Sequence, residues 1–150
     1  MTKILPLQIR AARRQDLRAL ALVYQSVFSA AAFKEKWPLK QAEKRLSQLF
    51  ASPDTLAWTA RVYGQPVGFA FLVLKQGHDG FYGELAESGV HPYFQKQGIG
   101  RALLMAVKAA RKQKKLKNLY SLVYQGTCER FLEKNGFKPS ERSLVFSLAR

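Results

Sequence analysis

Leu7-Gln8-Ile9-Arg10 alternates apolar and polar residues, the two-residue period of a short strand with one covered face. From about Gln15 to Ser29 the period lengthens, and Leu17, Leu20, Leu22, Val23 and Val27 recur near helical spacing. Leu39 to Phe50 repeats that pattern with Ala42, Leu46 and Leu49 on one side, and Ser52-Pro53-Asp54 closes it in a turn. Leu56 to Val62 and Val67 to Leu74 are rich in branched and aromatic residues, and Tyr63-Gly64-Gln65-Pro66 joins them as a hairpin. After the turn Gln76-Gly77-His78-Asp79-Gly80, a further strand runs from Phe81 to Val90. A long helix then places Ile99, Ala102, Leu103, Ala106, Val107 and Ala110 on one stripe. Leu119 to Tyr124 reads as a strand, and Thr127 to Asn135 as a short helix capped by Gly136. Ser143 to Leu148 alternates again and is expected to close the sheet.

The order β-α-α-β-β-β-α-β-α-β predicts an α/β chain of the α+β kind. Its central sheet is mixed and mostly antiparallel, flanked by helices, with a βαβ unit in its second half. No repeat, low-complexity tract or Pro/Gly/Ser-rich linker interrupts it, so a single domain over residues 1–150 is expected.

Composition adds limits. An apolar fraction of 47% supplies a real core, since a chain this long buries roughly 70% of its unfolded surface. The single cysteine, Cys128, excludes a disulfide framework and fits a reducing compartment. Met1-Thr2-Lys3-Ile4-Leu5-Pro6 carries no apolar targeting core, and no run reaches the length of a membrane span, so a cytoplasmic protein without membrane contact is expected. His78 sits in a turn and His91 before a proline, with no second ligand near either, so no metal site is expected.

The net charge of +15 changes the picture more. Residues 1–75 carry 12 basic and 4 acidic residues, and residues 76–150 carry 13 and 6, so the excess is spread rather than gathered in a tail. Arg101 to Lys117 is dense, with Arg101, Lys108, Arg111, Lys112, Lys114, Lys115 and Lys117 and no acid. Such a field attracts anions: nucleic acid, lipid or a phosphorylated small molecule. A solvated helix face explains the same residues.

The chemistry gathers in Gly89-Val90-His91-Pro92-Tyr93-Phe94-Gln95-Lys96-Gln97-Gly98-Ile99-Gly100-Arg101. A strand ends, a polar turn follows, and two glycines open an amphipathic helix. Glycines let a ligand approach the backbone, and the first N–H groups of a helix lack internal partners. With the helix dipole they make an anion site suited to a pyrophosphate, flanked here by Lys96 and Arg101. A P-loop would need Gly-Lys-Ser/Thr, and Gly100 is followed by Arg101-Ala102; a dinucleotide fingerprint would need a glycine at Leu103.

Gln95-Lys96-Gln97-Gly98-Ile99-Gly100 resembles the signature of the GNAT superfamily of N-acetyltransferases: Gln or Arg, two residues, Gly, one residue, then Gly or Ala. Val90-His91-Pro92 resembles the Val-x-Pro before that loop, and Phe131-Leu132-Glu133-Lys134-Asn135-Gly136-Phe137 the family's Phe-Tyr-x-Lys-x-Gly-Phe. The element order agrees from about Leu7 to Leu148.

The resemblance implies acetyl-CoA as co-substrate. It places the diphosphate on Gln95, Lys96, Gln97, Gly98, Ile99, Gly100 and Arg101, with the main-chain N–H groups of Gln97, Gly98, Gly100 and Arg101 as the cradle. The pantetheine arm is expected along Ser88, Gly89 and Val90, as a peptide adds to a sheet edge. Family members carry a bulge on this strand, and Gly89 suits such a kink. Glu84 aligns with the family's general base and is favoured over Glu87, which points the opposite way unless a bulge intervenes. The usual acidic tyrosine is replaced by Leu132, which leaves Tyr124 and Cys128 as substitutes. Phe33, Trp37 and Tyr82 are the candidates for binding the acceptor, a primary amine of a small molecule or of a protein or peptide. Two other readings stand beside the enzyme: a CoA-binding module with little catalysis, and a basic nucleic-acid or ribosome-associated protein. The oligomeric state stays open, a homodimer included.

Overall fold

The computed structural model describes residues 6–148, so the part of the N-terminus read for targeting signals, Met1 to Leu5, lies outside the described residues. Five strands form one sheet in sequence order: β1 (Leu7–Ala11), β2 (Thr55–Val62), β3 (Gln65–Gly77), β4 (Gly80–Val90) and β5 (Leu119–Tyr120). Neighbours are antiparallel except β4 and β5, which run parallel across α3 (Ile99–Gln113). Helices α1 (Leu17–Phe28) and α2 (Leu39–Ala51) precede the β2–β3 hairpin, and α4 (Glu129–Lys134) follows β5.

The pleat of β3 sorts the core into two layers, because alternate residues face opposite sides. Ala70 and Leu72 join Leu85 of β4 and the α3 stripe of Ile99, Leu103, Leu104, Val107 and Ala110 on one side. Phe69 and Phe71 meet Leu20, Tyr24, Val27, Ala42 and Leu46 of α1 and α2 on the other. Phe69, Phe71 and Leu72 are fully buried, which makes β3 the centre of both layers. No helix among the described residues is long and apolar enough to cross a membrane.

The start of the chain is held by charge. Asp16 is 5% exposed, and its carboxylate accepts from Arg10 Nη1 at 2.8 Å, Arg10 Nη2 at 3.0 Å and the Arg13 main-chain N–H at 2.7 Å. These bonds, Arg10 foremost, hold the Asp16 pKa below the ordinary aspartate value. Their stabilisation is complete above about pH 4 and is lost as the pH falls through the lowered value. Breaking a buried pair typically costs about 3–5 kcal/mol. With Arg10 partly exposed, Asp16→Asn is expected to cost about 2–3 kcal/mol at pH 7 in urea unfolding. The variant should also lack the share of the acid destabilisation below about pH 4 that Asp16 is expected to contribute in the wild type.

The C-terminal part departs from expectation. Strand β5 stops at Tyr120 rather than Tyr124, and Ser143 to Leu148 forms no strand. Leu144, Val145, Phe146 and Leu148 stand in solvent, 78% exposed or more. Alternation prepares a strand but needs a ladder to join, and a two-residue β5 offers almost none.

Candidate active site

Past Val90 the chain makes one 3-10 turn, Pro92–Phe94, whose start is pinned where His91 Nδ1 accepts from the Tyr93 N–H at 3.2 Å. Gln95 Nε2 donates to the Val90 carbonyl at 2.9 Å and folds the loop back on β4. Lys96 and Gly98 then take left-handed backbone angles, φ 61° and 85°, and α3 begins at Ile99. The Ala102 N–H bonds to the Gly98 carbonyl at 3.0 Å. Ahead of it, the N–H groups of Gln97, Gly98, Ile99, Gly100 and Arg101 have no acceptor among the described residues. A β-carbon on Gly98 would meet nothing within 4 Å, so this face of the loop is open. Open main-chain donors at the positive end of a helix are the chemistry of an anion site.

Gly100 sits beneath the Phe131 ring, whose Cζ would lie 3.0 Å from an added β-carbon, so α3 and α4 meet closely here. Beside this contact a hollow of about 470 Å³ is lined by Arg101, Leu104, Met105, Lys108, Lys134 and Asn135. The Lys108 ammonium donates to the Asn135 carbonyl, while the Lys96 and Arg101 side chains are exposed.

Strand β4 carries the second half of the site. Leu72 pairs with Leu85 but Phe71 with Glu87, so Ala86 is an extra residue, a bulge. It restores Glu87 to the face of Glu84, the face covered by α1 and α2. The bulge therefore lies at Ala86, not Gly89. Gly89 is glycine for another reason: a β-carbon there would come within 2.9 Å of Val27 and 3.0 Å of Phe69.

Glu84 accepts from Lys75 Nζ at 2.9 Å and from the Tyr120 hydroxyl at 3.2 Å, and its side chain is 20% exposed. The bond from Lys75 to Glu84 first, and its nearness to the Tyr120 hydroxyl next, raise the Lys75 pKa. Glu87 is buried, and Oε1 accepts from Arg45 Nε at 2.9 Å and from the Tyr24 hydroxyl at 3.2 Å. Burial pushes the Glu87 pKa up, against the pull of Arg45. Burial and the Glu87 charge drive that of Tyr24 up as well.

Strand β5 pairs with β4 only at Gly83 and Glu84, and Ser121 Oγ adds a bond to the Leu85 carbonyl at 3.1 Å. Beyond Leu85 the β5 side of β4 has no strand partner among the described residues. Ser88, Gly89 and Val90 lie along this open edge, directly before the anion loop.

The remaining candidates are scattered. Tyr124 lies beyond β5, 78% exposed, and its carbonyl accepts from Thr127 Oγ1. The Cys128 thiol is half-buried at the start of α4, and burial raises its pKa. Leu132 is core. Phe33 packs on Phe28 at 4.9 Å, and the Tyr82 hydroxyl is tied to Asp79 in the β3–β4 turn at 2.7 Å. Trp37 stands edge-on to Tyr24 at 5.1 Å and so reaches Glu87 through that ring. Two participants were not foreseen from sequence, Tyr120 and Arg45. The parallel register of β4 with β5 brings Tyr120 to Glu84, and the Ala86 bulge brings Glu87 to Arg45.

A model of the acetyltransferase (GNAT) domain matches residues 53–139. Among solved structures, a ribosomal-protein-alanine N-acetyltransferase from Brucella melitensis biovar Abortus 2308 superposes with TM-score 0.77 at 19% identity, covering 95% of this chain and 99% of that one. The aminoglycoside N-acetyltransferase AAC(6')-Iy, in complex with CoA, gives TM-score 0.78 at 15% identity, covering 99% and 98%. An integron cassette protein from the mobile metagenome of Cole Harbour Salt Marsh gives 0.80 at 22%, covering 95% and 91%. At these identities the likeness is one of fold. No curated protein sequence matches the chain.

Proposed function

The chain belongs to the GNAT acetyltransferase family, and on that premise we propose that it moves the acetyl group of acetyl-CoA to a primary amine of a small molecule or peptide, acting as one domain over residues 1–150. The observation that carries this reading is the row of unpartnered N–H groups from Gln97 to Arg101, open to solvent at the head of α3. They suit a diphosphate, with Lys96 and Arg101 adding charge. The open edge at Ser88, Gly89 and Val90 suits the amide groups of the pantetheine arm. The diphosphate and the arm together would lead the thioester toward Glu84.

In the transfer the amine nitrogen attacks the thioester carbonyl. A carbon–nitrogen bond forms, the carbon–sulfur bond breaks, and the amine loses a proton. Glu84 is the base in this reading, accepting that proton through water, because its carboxylate is reachable while Glu87 is enclosed. Tyr120, hydrogen-bonded to Glu84, is better placed than Tyr124 to return a proton to the departing sulfur. A thiol of pKa about 8.5 also leaves acceptably as thiolate. The protein mixed with acetyl-CoA and a panel of primary amines should release free thiol in an amine-dependent manner. CoA binding without release from any amine contradicts transfer, and favours the CoA-binding module to which the buried Leu132 points.

A further inference from the structure

Arg45 is placed as a ligand-binding arginine is placed. It stands on α2 beside the buried positions Ala42 and Leu46, and only its Nε is spent, on Glu87. Its terminal nitrogens have no partner among the described residues, and its side chain is 47% exposed against 9% for Glu87. A buried carboxylate braced by Tyr24 thus holds the inner edge of a guanidinium whose outer fork faces solvent over β4. A planar fork presented in this way matches a carboxylate or phosphate in bidentate fashion.

An exposed surface arginine gains little from one ion pair. Burying Glu87 carries a desolvation cost, which the Arg45 Nε and the Tyr24 hydroxyl offset while leaving the rest of the guanidinium unspent. The arrangement makes sense if the fork has a ligand of its own. The net charge of +15 points the same way, since it attracts anionic solutes and repels polycations. Glu84, on the same face and three residues along β4, stands on the order of 7–10 Å from Glu87.

We propose that the outer fork of Arg45 binds an anionic group of the acceptor. The substrate is then a compact amine that carries a carboxylate or a phosphate, its amine end toward Glu84 and its anion toward α2. The inference rests on the acetyl-transfer reading and adds the class of amine to it.

Matched pairs with and without the anion test it, with KM expressed per free amine so that the differing amine basicities cancel: alanine against alaninamide, and phosphoethanolamine against ethanolamine. Each is assayed by thiol release from acetyl-CoA and by calorimetric binding in the presence of CoA. The anionic member of at least one pair should show a KM at least tenfold lower, and which pair responds distinguishes carboxylate from phosphate. Arg45→Gln should remove that preference by raising the KM of the anionic member about tenfold, leaving the neutral member within twofold. Arg45→Lys should restore it in part. Because Arg45→Gln strands a buried carboxylate, the double variant Arg45→Gln/Glu87→Gln is the control for folding and should behave as the single one does. Lys112→Gln, which removes the same charge elsewhere, should leave the preference intact. Equal KM values within both pairs, or a preference that Lys112→Gln abolishes equally, overturns the proposal. Arg45-dependent binding of the anionic amine without thiol release would sustain this site and instead contradict acetyl transfer.

Discussion

Glu84→Gln is expected to lower kcat by 10²-fold or more with the best amine while leaving the affinity for CoA within twofold. General base catalysis by a positioned side chain contributes roughly 10²–10⁴-fold, and glutamine keeps the volume but cannot accept the proton. Lys75 and Tyr120 lose a charged acceptor in the variant, yet both are reachable by water or solvent-facing neighbours, so folding should survive. Tyr120→Phe is the informative companion. If Tyr120 only positions Glu84, its loss should cost less than tenfold and leave the pH profile of kcat/KM in place. Thiol release measured across pH separates the outcomes. Turnover by Glu84→Gln at the wild-type rate would remove Glu84 from the mechanism and turn attention to Glu87, the other carboxylate on that face.

The second large effect lies in the loop. Gly98 holds φ 85°, where a side chain costs about 1–2 kcal/mol. Space is not the obstacle, because a β-carbon there meets nothing within 4 Å. The methyl group of Gly98→Ala would instead project into the face on which the diphosphate is proposed to lie. The strained backbone would also turn the neighbouring N–H groups away from a shared focus. Stability should fall by about 1–2 kcal/mol in urea unfolding, and CoA should bind at least tenfold more weakly. A CoA affinity that follows neither change would mean that the diphosphate does not touch this turn.

The fold was largely legible because its elements announce themselves by period. The α3 stripe of Ile99, Leu103, Val107 and Ala110 and the β2–β3 hairpin stand where the pattern places them. What the pattern missed is pairing. Leu122 and Tyr124 continue the strand alternation of Leu119 and Tyr120 but have no neighbouring ladder, and Ser143 to Leu148 shares that condition. The candidate site divides along the same line. The anion loop follows from local residue types, since Gly98 and the head of a helix dictate exposed donors. The carboxylate face depends on one inserted residue, Ala86, that no local signal marks. Without that bulge Glu87 faces α3 and Arg45 is one more unpaired charge on a basic surface. With it, the two make the most enclosed ion pair near β4.

The main-chain donors between Gln97 and Arg101 are proposed to hold a diphosphate, and calorimetry of CoA against pantetheine tests this most directly. Both ligands offer the same arm and thiol, and only CoA carries the diphosphate and nucleotide. CoA should bind with micromolar affinity that weakens in rising salt, and pantetheine at least a hundredfold more weakly. Equal affinities for the two, or no heat from CoA at millimolar concentration, would contradict it.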